Sequence, residues 1–258
     1  MDIGKAAELL LGNWQAETRI DALPEDSRPI DRASGYAIAA RLAALSGQAT
    51  AGWKIAATSA AGQRHINVDG PLAGRILSGR LLGASAAITL GRNIMRVAEA
   101  EFAFSFGEDL PPRDLDYSID EALAAVSTLR LSIEIPDSRY NDFTKVGAPS
   151  LIADTACAAW LVLGEPVAAP WRGLDLSAHR VTGYRNGEKV AEGTGKAVLG
   201  DPRAALTWFV NEAARHCGGV KAGQFVTTGT CIVPIAVAPG DLVRADYGSL
   251  GSIEAAII

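Results

Sequence analysis

The sequence predicts an α+β protein: a helical N-terminal segment, residues 1–50, followed by a strand-rich body with a few helices, residues 51–258. Three observations carry this. Residues 1–20 repeat apolar side chains at helical spacing through Ile3, Ala7, Leu10, Leu11 and Trp14. Beyond Gly47 the texture changes to short β-like runs parted by Gly, Pro and Asp. Within that region "VTGYRNGEKVAEG" places Asn186-Gly187 between two short runs, a strong hairpin signal.

The elements follow in order. "LPEDSRP" breaks the first helix, and Asp31 is placed to cap a second that runs to about Leu45. Residues 118–131 read as helical, as does part of 153–163. In "DPRAALTWFVNEAARHC", Asp201 is an N-cap, Pro202 occupies the first helical position, and an amphipathic stripe follows. "KAGQFVTTG" and "APGDLVRADYGSLGSIEAAII" read as strand, turn, strand. Nothing repeats.

Composition excludes several classes of function. The 258 residues are 48% hydrophobic and 21% charged, as in a soluble globular protein. Net charge is -5 with no basic block, which argues against a nucleic-acid partner. No apolar run reaches about 20 residues, so no membrane span is expected. An early Asp2 and the lack of a basic leader argue against a signal peptide. Cys157, Cys217 and Cys231 are odd in number and widely spaced, which fits a reducing cytoplasm. His65, His179 and His216 lie far apart, so a His-rich zinc site is not expected.

The chemistry is concentrated in "RVAEAEFAFSF", residues 96–106. Alternate strand residues share a face, so Glu99 and Glu101 project from the same side. One reading is an edge strand with a solvated polar face. The other is a buried pair. Ala98, Ala100, Phe102 and Ala103 around the acids are small or apolar, as in a strand covered on both sides. Buried carboxylates repel one another unless neutralised, and a divalent cation is the usual solution. Glu134 lies in a similar setting, between Ile133 and Ile135. Three carboxylates with almost no histidine suit Mg²⁺ or Mn²⁺, and would leave about three octahedral positions for water and substrate.

Other candidates each carry a plain structural alternative. Lys54 sits in the apolar run "AGWKIAATS", where a snorkelling surface lysine is the alternative. Asp69 falls in a Gly-Pro turn, where an Asx turn would explain it. Asp154 stands near a helix start, where capping would explain it. "VTTGTC" ends a strand in small residues whose backbone N–H groups could grip an anion. Thr228, Gly229 and Thr230 are therefore candidate substrate contacts, together with Asp154 and His65.

Taken in order, "GWKIAATS", "NVDGPLAG", "RVAEAEFAFSFGEDLP", "IEIPDSRYNDF", "LGDPRAALTWFVN", "KAGQFVTTGT" and "APGDLVRADYGSLGSI" resemble the 2-oxopent-4-enoate hydratase / 4-oxalocrotonate decarboxylase group of the fumarylacetoacetate hydrolase superfamily. The resemblance covers about Gly52 to the C-terminus. It implies a mixed β-roll or sandwich body and an octahedral Mg²⁺ or Mn²⁺ site held by Glu99, Glu101 and Glu134. It implies an active-site lysine at Lys54 and a catalytic acid at Asp69. A lysine beside the cation would have a lowered pKa. It further implies a cytoplasmic homo-oligomer, with association to a related decarboxylase or hydratase, acting on 2-hydroxy-2,4-dienoates from aromatic-ring degradation. Hydration is the expected reaction. Decarboxylation of a 2-oxo-3-enedioate is the alternative, with acylpyruvate hydrolysis and a non-catalytic partner subunit behind it. Many relatives carry Asn where this chain has Thr155, and "HINVD" lacks the nearby Glu that the superfamily's hydrolases pair with a histidine.

Overall fold

Asp2 and Asp31 start the two N-terminal helices. In the computed structural model, which describes all 258 residues, α1 spans Ile3–Ala16 and α2 spans Arg32–Ser46. The Asp2 carboxylate accepts from the Lys5 amide, and Asp31 forms a reciprocal capping box with Ser34. Their apolar faces, including Ala6, Leu10, Ile38 and Leu42, form a small core that also takes in Leu77, Tyr140 and Ala153 from the body. Arg32 and the Tyr36 hydroxyl both reach the Glu212 carboxylate, at 2.6 and 2.8 Å. The helical pair is therefore fastened to the body by packing and by hydrogen bonds.

The body continues with β1 (Thr50–Ala56), α3 (Ala60–His65), β2 (Leu72–Leu77), β3 (Leu81–Gly83), β4 (Ala87–Ile88) and β5 (Val97–Phe106). Next come α4 (Ile119–Ala124), β6 (Val126–Ile135), α5 (Gly147–Ala153), β7 (Trp160–Leu163), β8 (Arg180–Arg185) and β9 (Glu188–Thr194). The chain ends with α6 (Pro202–His216), β10 (Phe225–Thr230), β11 (Ile235–Ala236), β12 (Leu242–Asp246) and β13 (Ser252–Ile257). The main sheet has the order β2-β1-β10-β5-β6-β7-β3, with β11 added on β5. The second sheet has the order β4-β13-β12-β8-β9. Both are mixed: β1–β10, β3–β7 and β4–β13 pair in parallel. One continuous core of 48 buried residues joins the two sheets and α6.

The hairpin and the 202–216 helix form as the sequence predicts. Asn186 and Gly187 both adopt positive φ, 54° and 85°, the geometry of the tight primed hairpin turn. Two helical expectations fail in part. Residues 118–131 split: Ser118 and Glu121 cap the short α4, and the chain turns to strand at Val126. The expected helix runs on to 131, but eight paired positions between β6 and β5 and the burial of Leu129 and Leu131 make residues 126–131 strand. The 153–163 region likewise divides. α5 ends at Ala153, a single tight turn occupies Thr155–Cys157, and β7 takes Trp160–Leu163.

Candidate metal centre and active site

β5 and β6 run antiparallel with Glu99 directly opposite Glu134 and Glu101 opposite Ser132. Period-two alternation puts both β5 acids on one face, and the register brings the third beside them. One carboxylate oxygen from each of Glu99, Glu101 and Glu134 lies within 4.8 Å of the others. Glu101 and Glu134 are completely buried. The edge-strand reading is thereby ruled out, since β5 lies between β10 and β6.

β10 supplies the fourth side of the centre. Its ladder with β5 slips between Thr227 and Thr230, a bulge that contains Gly229 at φ +96°. The bulge turns the Gly229 amide toward Glu101, to whose Oε2 it donates at 3.0 Å. A Cβ at this position would lie 2.2 Å from Thr58 Oγ1, so only glycine fits. The sequence suggests that this strand end grips an anion; the anion it grips is the protein's own carboxylate. Thr228 faces away, its hydroxyl donating to the Phe102 carbonyl at 3.1 Å. Gly229 and Thr230 line the cavity over the acids, and Thr228 does not.

Lys54 on β1 is buried, not snorkelling. Its Nζ lies 3.3 Å from Glu134 Oε1 and donates to the Ala156 carbonyl at 3.0 Å. That carbonyl is presented by an unusual turn: Thr155, Ala156 and Cys157 all have φ between 51° and 61°. Left-handed backbone is disfavoured for each of these residue types. The turn is held in place by Asp154, whose carboxylate accepts from the Ser138 hydroxyl, the Arg139 amide and the Arg139 guanidinium. Asp154 is fully buried and does not line the cavity. It orients the turn under Lys54 instead of contacting substrate. Gly74, paired with Lys54 across β2, permits the close approach, since a Cβ there would sit 1.9 Å from the Thr155 carbonyl oxygen.

Electrostatics express the crowding. Burial raises the pKa of Glu99 and of Glu101, and the neighbouring acids raise Glu101 further. Burial lifts Glu134 to about 7 against the opposing pull of Lys54. Burial pushes Lys54 down, but the combined fields of Glu134, Glu99 and Glu101 prevail and hold it above the ordinary lysine range.

The donors fit a hard divalent ion. Glu101 Oε1 and both carboxylate oxygens of Glu134 are buried without any hydrogen bond. Glu134 Oε1 has the Lys54 ammonium beside it, and the other two have no partner. Orphaned buried oxygens are costly, and one oxygen from each of three acids within 4.8 Å of the others suits a cation bound only through oxygen.

Above the acids opens a cavity of about 680 Å³. His65 lines it from the end of α3; the ring is exposed and meets Phe143 edge-on at 5.9 Å. Asp69 does not join the site. It lies in an exposed bend outside the cavity wall, and the residue that β2 turns inward is Leu72. A turn residue's position in sequence does not fix the side to which it points. Cys157 also lines the cavity, and burial pushes its thiol up to about 12, which disfavours the thiolate.

Residues 80–258 match the family described as fumarylacetoacetate (FAA) hydrolase C-terminal. The chain belongs to the fumarylacetoacetate hydrolase family. Among curated relatives, it is 32% identical to a 2-keto-4-pentenoate hydratase of Paraburkholderia xenovorans, over 81% of this chain and 76% of that one. It is 31% identical to a 4-oxalocrotonate decarboxylase of a Pseudomonas species, over 82% and 79% of the two chains. The structure superposes on a 4-oxalocrotonate decarboxylase from Pseudomonas putida G7, solved with magnesium and adipate, with a TM-score of 0.87. That match has 26% identity and covers 99% of this chain and 97% of the other. The same decarboxylase has been solved with calcium and acetate. The α+β architecture with mixed sheets is therefore that of this family.

Proposed function

We propose that the protein is a metal-dependent hydratase that converts a 2-hydroxy-2,4-dienoate to the corresponding 4-hydroxy-2-oxo acid. The observation that carries this reading is the grouping of Glu99, Glu101 and Glu134 beside a buried Lys54 at the floor of a largely apolar cavity. The three acids would hold Mg²⁺ or Mn²⁺, and the bound ion would supply Lewis-acid stabilisation of charge developing on the substrate's C2 oxygen. The relatives named as hydratases support the choice of reaction.

The chain's own groups divide the remaining work. The Lys54 ammonium, fixed by Glu134 and the Ala156 carbonyl, offers a hydrogen bond and a positive charge to the same oxygen. As the enol proton leaves, C5 gains a proton and the conjugated 2-oxo-3-enoate results; water then adds at C4. Lys54 is the proton carrier at the floor, and the His65 imidazole lies on the wall of the same cavity. The apolar wall keeps bulk water from the intermediate. A cytoplasmic homo-oligomer is part of the proposal.

Decarboxylation of a 2-oxo-3-enedioate is the second reading, favoured by the 0.87 TM-score to a decarboxylase. Ultraviolet-monitored turnover of 2-hydroxypenta-2,4-dienoate and of 2-oxohex-3-enedioate, with Mg²⁺ and with EDTA, separates them. Mg²⁺-dependent loss of the diene absorbance supports hydration. CO₂ release from the second substrate alone replaces it with decarboxylation. Full activity in EDTA removes the metal from either reading.

A further inference from the structure

The cavity is larger than a five-carbon acid requires. At roughly 30 Å³ for each water-sized group, such a dienoate of eight non-hydrogen atoms with two waters fills at most about 300 Å³. The cavity measures about 680 Å³. Its wall includes Ile66, Leu72, Met95, Leu151, Ile232 and Val233. Val233 is 73% exposed, a large apolar side chain held in solvent where the cavity opens.

The charges on that wall are few and unevenly placed. Lys54 is already committed to Glu134 beside the acid cluster. Glu99 belongs to that cluster. Glu192 is exposed at the wall and ion-pairs with Lys189 at 2.5 Å. No arginine lines the cavity, and His65 is its one other basic group. A second carboxylate on a substrate would be desolvated against a mostly apolar wall that offers it no arginine or free lysine, only His65, and sets Glu192 against it.

We infer that the enzyme's substrates are 2-hydroxy-2,4-dienoates extended beyond C5 by an uncharged apolar chain, and that the cavity discriminates against dicarboxylates. The inference rests on the hydratase reading and narrows its substrate class. A divalent ion held by the acid cluster would, with Lys54, take the C1 carboxylate and C2 oxygen, and the apolar wall takes the tail.

Saturated 2-oxo acids, which share the chelating end and cannot be hydrated, test this by calorimetric titration of the Mg²⁺-loaded protein at pH 8. Each added methylene should tighten binding about fourfold, the equivalent of about 0.8 kcal/mol. Affinity should therefore rise by more than tenfold from 2-oxopentanoate to 2-oxooctanoate. 2-Oxoadipate should bind at least tenfold more weakly than 2-oxohexanoate, which has the same number of carbons. Met95→Gln, near-isosteric and polar, should flatten the chain-length series. A flat series in the parent protein, or 2-oxoadipate binding as tightly as 2-oxohexanoate, overturns the inference. Turnover of 2-hydroxypenta-2,4-dienoate, measured in parallel, keeps the two claims apart. Hydration with a flat series leaves the hydratase standing without the tail preference. A steep series without hydration of any dienoate leaves the tail preference standing and removes the hydratase.

Discussion

Lys54 lies 3.3 Å from Glu134, and the two come from strands separated in the main sheet by β10 and β5. One buried ammonium thus faces three carboxylates, two of them fully buried. Burial and mutual repulsion raise the proton affinity of the acids, and Lys54 opposes that rise.

Lys54→Met should lose at least about a hundredfold in kcat, the scale of a removed general acid or oxyanion partner. The unbranched side chain keeps the packing. Metal affinity should hold or rise, because a positive charge leaves the neighbourhood of the ion. Turnover near the parent's level would show that Lys54 only balances charge.

Glu101→Gln should weaken metal binding and activity together. The amide oxygen can still accept from Gly229, and one negative charge disappears. In EDTA the variant should melt at or above the parent's temperature, while the rise in melting temperature on adding Mg²⁺ shrinks. A loss of roughly 3–5 kcal/mol in EDTA, with an unchanged metal-dependent shift, would mean that a buried basic partner had been stranded instead.

Stability without metal should fall as pH rises through about 7. Glu134 titrates near 7 in the folded protein and near the ordinary 4.5 when unfolded. The folded state therefore binds the extra proton, a contribution fully present below about 4.5 and lost as pH passes about 7. Its size is on the order of 1–3 kcal/mol. Mg²⁺ competes with the same protons, so metal affinity should increase over that window. Melting curves with EDTA and with Mg²⁺ between pH 5 and 8 measure both slopes. A metal-free protein that grows more stable from pH 6 to 8 would contradict the assignment.

Asp69→Asn should leave kcat within about twofold, because the side chain is exposed in a bend outside the cavity. A hundredfold loss would show that this bend closes over bound substrate.

Asp154→Asn should destabilise the protein by roughly 3–5 kcal/mol, equally with EDTA and with Mg²⁺, since it strands the buried Arg139 guanidinium. If chemical denaturation gave a loss below about 1 kcal/mol, Asp154 would not be holding the turn beneath Lys54.

Much of the centre is legible in the sequence because strand periodicity is a local property. Two acids at spacing two in an apolar run, and a third flanked by isoleucines, are enough to announce a shared buried face. What is not legible depends on partners far away in the chain. The 126–135 segment is a strand only because β5 lies beside it. The Ala156 carbonyl acts through a left-handed turn that has no glycine to mark it. Asp69 falls outside the site because sequence does not say which way a bend points, and Leu72, which does face the cavity, looks like any core leucine. The Gly229 amide is foreseeable in kind but not in target, since its partner Glu101 is 128 residues distant.

The placement of β10 sets a timetable for the site. β1 and β5 do not touch in the sheet; β10, near the end of the chain, is the strand between them. During synthesis, Lys54 and the three acids leave the ribosome long before the strand that joins them, and such distant pairings form late and slowly. The three acids can meet on the adjacent β5 and β6 before β10 exists, so the late strand is the one that sets Lys54 beside them. Lys54 is thus the last part of the centre to reach its place.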